Sequence, residues 1–276
     1  MYMYIILALF VNIAYNNTIN LFSYAITEVV IMEELQIFNA EEIQSQQSKT
    51  ITKSKDLIQK ARHSLSAKEL TLVDFMVSKL EETDKDLFFV DTTIAEINEV
   101  CNFGQGGAAH SSTEKALLNL ANKGFWMLLE DGTKTIGRWL EKPYIKAGQT
   151  RLKLDSDMAP YLLNLVDGKK SRFFFKDIIN LKSIYAKKLY ESLRSYQEEE
   201  ITMSVNEIKI LFNKEDLEWY RVLAYLRKAK NDINNFTTIE VSYLTVKEGR
   251  ETVAIQFKIK QKDQVLLDAQ GNVLNK

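Results

Sequence analysis

Trp219-Tyr-Arg-Val-Leu-Ala-Tyr-Leu-Arg-Lys-Ala-Lys-Asn-Asp-Ile-Asn234, followed by the runs Ile239–Thr245 and Glu251–Ile259, decides the fold. Laid out at about 100° per residue, a helix over Asp216–Asn234 carries Trp219, Val222, Leu226, Ala229 and Ile233 as one apolar stripe. Tyr220, Arg221, Ala224, Arg227, Lys228 and Asn231 fall on the opposite face. Arg and Asn are the side chains that pair bidentately with guanine and adenine edges, and a small residue such as Ala224 lets a helix approach a groove closely. The two runs that follow alternate as strands around Lys247-Glu-Gly-Arg250, giving a hairpin with a basic tip. Upstream, Ser204-Val-Asn-Glu207 is a capping box that starts a short helix ending near Phe212. Phe173–Tyr196 reads as one long helix with Ile178, Leu181, Tyr185, Leu189 and Leu193 as its stripe. Helix, helix, long helix, hairpin is the order of a winged helix-turn-helix.

The same order stands earlier in the chain. Ser66-Ala-Lys-Glu69 is a second capping box, and the helix it starts buries Leu70, Val73, Phe75–Val77 and Leu80. A helix over Thr93–Val100 follows, and Gly104-Gln-Gly-Gly107 reads as the turn into a third helix over Ser111–Lys123. Those glycines lack the spacing and the Lys-Ser/Thr of a phosphate loop. On the third helix Thr113, Leu117, Leu120 and Ala121 face inward, while Ser112, Lys115, Asn119, Asn122 and Lys123 face out. Two apolar runs then flank Asp131-Gly132, a two-residue hairpin signal, and the hairpin carries Lys134 and Arg138 as a DNA-contacting wing would. An extended segment, Tyr144–Leu154, leads towards the second unit. The fold class expected is therefore α+β, two tandem winged-helix domains.

Composition narrows the function classes. An apolar fraction of 46% suits a packed core, and 2 Pro and 10 Gly argue against long disordered stretches. One cysteine, Cys101, excludes an internal disulfide framework and fits a cytoplasmic setting. With 2 His and that cysteine, zinc fingers and His-rich metal sites are excluded. The net charge of −1 hides local polarity: Glu28–Glu42 has acids and no bases, whereas Lys169–Arg194 is strongly basic. Phosphate binding follows the local field, so a near-neutral chain can carry a basic face.

Met1–Thr27 bears no charge and includes the apolar run Tyr4–Val11, yet it has neither a basic leader nor a small-residue cleavage site. A membrane span there would have to bury Asn12, Asn16, Asn17 and Asn20. Composition changes near Met32, where the chain reads like an ordinary protein start. The expectation is an extension outside the fold, with a membrane tether as the alternative. The domains expected are an extension and polar connector over 1–55, winged helices over 56–165 and 166–262, and a tail over 263–276.

Four pieces carry a family likeness: Met158-Ala-Pro-Tyr-Leu-Leu-Asn-Leu165, Leu181-Lys-Ser-Ile-Tyr-Ala-Lys-Lys-Leu-Tyr-Glu191, Asn231-Asp-Ile-Asn234 and Tyr243-Leu-Thr-Val-Lys-Glu-Gly-Arg250. In order and spacing they resemble the iteron-binding, theta-type plasmid replication initiators, the RepB/RepE-like family, over about Leu57–Lys260. The resemblance implies binding of double-stranded DNA at tandem origin repeats (iterons) through both winged helices. It also implies origin opening, recruitment of the host replication initiator and the replicative helicase, and repression of the protein's own promoter by a homodimer paired through the first domain. It implies no nucleotide-hydrolysing site, and no cofactor, catalytic residue or metal-binding residue is expected. The DNA-binding residues expected are Ser112, Lys115, Asn119, Lys123, Lys134 and Arg138 in the first domain. In the second they are Tyr220, Arg221, Ala224, Arg227, Lys228, Asn231, Lys247 and Arg250. One departure from the family pattern is that the start of the second recognition helix has a single Arg221 where relatives place a basic run; here the charge sits at Arg227, Lys228 and Lys230. For the dimer, the apolar stretch Phe125-Trp-Met-Leu-Leu129 with Trp139 could pair with a twin.

Three rival readings make different demands. A rolling-circle nickase needs a His-x-His metal pair and a nucleophilic Tyr, and His63 and His110 stand far apart. A winged-helix transcriptional regulator would favour a lone palindrome over tandem repeats, and a protein-interaction module would ignore DNA.

Overall fold

The computed structural model describes residues 40–262 except 82, 130 and 197, together with 266–267 and 273–274. The chain divides into two compact units, Met1–Gln46 and Gln47–Lys276. Of the first, only the helical stretch 40–46 is described. The expected extension Met1–Ile31 lies outside the described residues, as does most of the 263–276 tail.

The second unit opens with β1 (Thr50–Ser54), where a polar connector is expected. It pairs antiparallel with β7 (Lys170–Phe174), Thr50 opposite Phe174 and Ser54 opposite Lys170. The alternation explains the difference: Ile51 and Lys53 turn inward, and the Lys53 ammonium is neutralised by partners far along the chain. Ser54 then caps α1 (Lys55–Lys60) by accepting from the Leu57 amide. The capping box expected at Ser66 and Glu69 is formed and starts α2 (Ala67–Val77), whose core face includes Leu70, Val73 and Phe75.

Strand β2 (Val90–Thr93) runs directly into α3 (Ile94–Val100), and Thr93 caps that helix through the Glu96 amide. The glycine turn makes the expected break: Gly104 and Gly106 both have positive φ, which only glycine adopts freely. The third helix, α4 (Gly107–Ala121), packs on α3 and buries Thr113, Leu117 and Leu120; the Thr113 hydroxyl bonds Asn98 Oδ1.

After α4 the structure departs from expectation. The hairpin of β3 (Gly124–Leu128) and β4 (Lys134–Arg138) exists, but its turn spans 129–133, closed by the Leu129 amide on the Thr133 carbonyl. It is a separate two-stranded sheet, whose other neighbour is a bridge between Arg62 and Trp126. A second hairpin, β5 (Tyr144–Lys146) and β6 (Gln149–Leu152), replaces the expected extended segment and pairs through β6 with β2. Sheet membership is set by pairing across about 60 residues, which a local turn signal does not reveal. The short α5 (Ala159–Leu162) closes this part.

The single helix expected over Phe173–Tyr196 is three elements: β7, α6 (Phe175–Asn180) and α7 (Ile184–Arg194). The aromatic run at 173–175 suits a strand once β1 is there to pair with it. Leu181 and Ser183 are extended, so α6 folds back on α7, where buried Asp177 accepts from the Tyr190 hydroxyl at 2.6 Å and from Thr238.

The remaining helices and the hairpin of the second winged helix come in the expected order, with a strand not foreseen from sequence, β8 (Glu200–Ser204). Strand β8 feeds the capping box of α8 (Val205–Phe212), which ends at left-handed Asn213. Next come α9 (Trp219–Phe236), β9 (Ile239–Glu248) and β10 (Glu251–Gln261), in a sheet ordered β8-β10-β9.

A buried ion cluster joins three segments distant in the sequence. Lys53 Nζ stands 2.5 Å from Asp74 Oδ1 on α2 and 3.2 Å from Glu191 Oε2 on α7. Burial pulls the Lys53 pKa down, but the two carboxylates outweigh it and the pKa ends raised.

Candidate nucleic-acid interface

The exposed face of α9 is the clearest candidate surface. Val222, Leu226, Ala229 and Ile233 are buried against the rest of the domain, and half-buried Trp219 completes the expected stripe. Tyr220, Arg221, Ala224, Arg227, Lys228 and Asn231 are all exposed on the other side. Arg221 Nε donates to the Tyr220 hydroxyl at 3.1 Å, so its guanidinium is held along the helix surface. Tyr185 of α7 stacks on Tyr225 at 4.5 Å and supports the helix from beneath. The basic tip of the β9–β10 hairpin turns through Gly249, φ +61, with Lys247 and Arg250 exposed and Glu248 and Glu251 beside them.

The first domain presents a weaker version. Ser112, Lys115 and Asn119 are exposed together on α4. Lys123, expected with them, lies beyond the helix end and spends its charge on Glu69, with Nζ 2.7 and 2.9 Å from the two carboxylate oxygens. Burial would push that carboxyl up, but hydrogen bonds from Lys123 and Ser66 outweigh it and hold it below its ordinary value. Lys68, not foreseen from sequence, reaches over from α2 and donates to Ser112 Oγ at 3.1 Å.

Lys134 and Arg138, expected on a wing, are exposed on β4, in the hairpin that stands outside the β2-β6-β5 sheet. That hairpin is packed tightly: a Cβ on Gly137 would clash with the Phe125 ring. Alternation turns Phe125 and Met127 inward with Trp139, and leaves Trp126, Leu128, Leu129 and Ile136 exposed. Lys60, Arg62 and Lys134 border a cleft of about 540 Å³ beside Trp126 and Leu128. The β5–β6 hairpin carries exposed Tyr144, Lys146 and Arg151, and exposed Lys142 stands just before it. The signal that could have found the hairpin is Ala147-Gly148, a turn dipeptide between two short alternating runs.

Among the described residues no group of three or more His, Cys, Asp or Glu is placed to hold a metal ion. No helix among them is long and apolar enough to cross a membrane.

Comparison with known proteins bears on the same surfaces. Residues 50–194 match the family described as initiator replication protein, WH1, and residues 224–259 match initiator Rep protein, WH2. No curated protein sequence matches the chain. Among solved structures, the Pi initiator protein in complex with iteron DNA is similar with a TM-score of 0.63 at 15% identity, over 79% of this chain and 99% of that one. Domains 2 and 3 of RctB give a TM-score of 0.47 at 15% identity, over 72% of this chain and 85% of that one. The first of these likenesses reaches the level of a shared fold, and the family match spans both winged helices: the chain belongs to the initiator replication proteins, with a WH1 and a WH2 domain.

Proposed function

We propose that this chain initiates plasmid replication by binding tandem repeats at the origin, and that α9 reads base edges in the major groove. The observation that carries the reading is the α9 face: six exposed residues, three of them cationic, with no carboxylate among them, on a helix whose other face is core. Arg221, Arg227 and Asn231 are the base-reading candidates, and Lys247 and Arg250 hold phosphates, which position the protein without specifying sequence. Ser112, Lys115 and Asn119 on α4 supply a second, less basic contact. The likeness to an initiator crystallised on iteron DNA supports the same use of the fold.

The exposed apolar strip Trp126, Leu128, Leu129 and Ile136 supports a second role. Such a strip on a soluble hairpin marks an interaction site. A homodimer paired there would bind an inverted repeat at its own promoter and repress it, while the monomer engages a single iteron with both domains. Origin opening then recruits the host initiator and the replicative helicase. Nuclease footprinting of the purified full chain on DNA flanking its own gene tests this reading. Protection of directly repeated sites supports it, whereas protection of a lone palindrome alone would mark a transcriptional regulator.

A further inference from the structure

We infer that the Tyr144–Leu152 hairpin is the DNA-contacting wing of the first domain, with Lys146 at its turn and Lys142 just before its first strand holding backbone phosphates. The inference rests on the DNA-binding reading above and reassigns the role that the sequence suggests for Lys134 and Arg138.

The argument is topological. In the second domain, β8 ends on Ser204, which is itself the cap of α8; after α9 the chain returns as β9 and β10, and the sheet order is β8-β10-β9. In the first domain, β2 ends on Thr93, which is itself the cap of α3, and the corresponding sheet order is β2-β6-β5. The last strand lies in the middle in both sheets, and the hairpin that follows the recognition helix in the sheet is β9–β10 in one case and β5–β6 in the other. The β3–β4 hairpin has no counterpart in the second domain and joins neither sheet.

Local geometry agrees. Ala147 and Gly148 have φ of +48° and +81°, the pair of positive values that a tight two-residue hairpin requires. The Gly148 carbonyl accepts from the Ile94 amide at 2.9 Å, which fixes the turn against the start of α3. An open groove of about 610 Å³ separates the hairpin from α4, lined by Ser111, Glu114, Lys115 and Leu118 on one side and Pro143 and Ile145 on the other. The hairpin therefore flanks the exposed side of the recognition helix, as a wing must to reach the adjoining backbone. Lys142 and Lys146 are exposed with no carboxylate within ion-pair distance among the described residues. Arg151 is less available, since Asp91 lies 3.7 Å from it and its guanidinium covers the Phe89 ring. Glu114 is the one acid among the described residues that line the groove, and it faces His110 at 3.7 Å.

The test compares two double variants of the full chain, Lys142→Ala with Lys146→Ala and Lys134→Ala with Arg138→Ala. The probes are a random-sequence duplex and a duplex that the unaltered chain enriches from a randomised pool. All four residues are exposed, and circular dichroism checks that both variants fold. Each lost phosphate contact lowers the slope of log affinity against log salt by about 0.9. The first variant should therefore lose roughly two units of slope and bind both probes several-fold more weakly, while the second stays within about twofold of the unaltered chain. Equal behaviour of the two variants, or a loss confined to the second, overturns the assignment while leaving DNA binding intact. Failure of the unaltered chain to bind either duplex would instead remove the DNA-binding reading and this inference with it.

Discussion

Asn213 Nδ2 donates to the His63 carbonyl oxygen at 2.7 Å, a bond between residues 150 apart that ties the end of α8 to the loop before α2. Lys188 Nζ reaches the same carbonyl at 3.3 Å, and Gln59 Nε2 donates to Ser195 Oγ at 2.8 Å nearby. These bonds tie the α7–α8 region to the segment before α2, forming a seam between distant parts of the chain.

Asn213→Gly tests the seam with little backbone disturbance, because Asn213 already has φ of +54°, where glycine is at ease. Loss of its side-chain bonds should lower stability by about 1–2 kcal/mol. Binding to a full repeat should weaken several-fold, as read by gel shift beside urea unfolding. An unchanged affinity and midpoint would show that the bond does not set the domain arrangement.

The Lys53 cluster should respond unequally to partial and complete removal. Lys53→Met leaves Asp74 and Glu191 buried without their cation, a change expected to destabilise by about 3–5 kcal/mol. Adding Asp74→Leu and Glu191→Leu should restore much of that loss, since an apolar replacement of a buried ion cluster is often near neutral. Urea unfolding of the single and triple variants measures both steps, and a triple variant no better than Lys53→Met contradicts the account.

Stability should also depend on acid through His63. Burial first, and then the nearby cations Lys188, Lys53, Arg62 and Lys123, push its pKa well below the ordinary value. The folded state therefore holds a neutral ring, packed edge-on to Trp139 with centroids 5.3 Å apart. The unfolded chain takes up a proton below about pH 6.5 and the folded chain does not. This contribution is therefore complete above about pH 6.5 and is lost as pH falls from there towards the folded pKa. Thermal unfolding at a series of pH values should show a fall that is shallower in His63→Phe. Parallel curves for the two proteins would exclude His63 as the source.

Features legible in the sequence were those carried by neighbouring residues. Both capping boxes, at Ser66 with Glu69 and at Ser204 with Glu207, form as read, because the donors and acceptors lie three residues apart. The α9 stripe and its exposed face follow from helical spacing alone. What escaped depends on distant pairing. Lys53 looks like connector charge until β1 meets β7 and brings it to Glu191, 138 residues away. Lys123 looks like a free cation on a helix face until Glu69 arrives from α2. The hairpin at 124–138 and the one at 144–152 are alike locally, and only the partner of β2 distinguishes them.

The dimer reading sorts the apolar hairpin by side. Met127 is 2% exposed, so Met127→Asp should unfold the domain and say nothing about assembly. Leu128 and Leu129 are 49% and 40% exposed, and an aspartate there enters a symmetric interface twice. Leu128→Asp and Leu129→Asp should each shift the protein towards monomer by light scattering, with binding to an inverted repeat reduced and binding to a single repeat kept. A folded variant that remains dimeric and binds both DNAs as before contradicts the interface.

The helix and the tip of the second domain should fail in different ways. Arg221→Ala should cost about 1–3 kcal/mol of discrimination between the preferred base and its competitors. Lys247→Ala or Arg250→Ala should weaken all sequences alike and flatten the salt slope by about one unit each. Changed base preference in the tip variants, with none in Arg221→Ala, would mean that α9 does not read the groove.

The central claim, that one chain reads a directional repeat with two unlike recognition helices, is tested most directly by selecting duplexes from a randomised pool with the full chain. The account predicts one enriched, non-palindromic motif with two read segments about one helical turn, roughly 10 base pairs, apart. It further predicts that Arg221→Ala relaxes the segment read by α9 and leaves the other unchanged. Enrichment of a palindrome alone, or of no sequence at all, would contradict it.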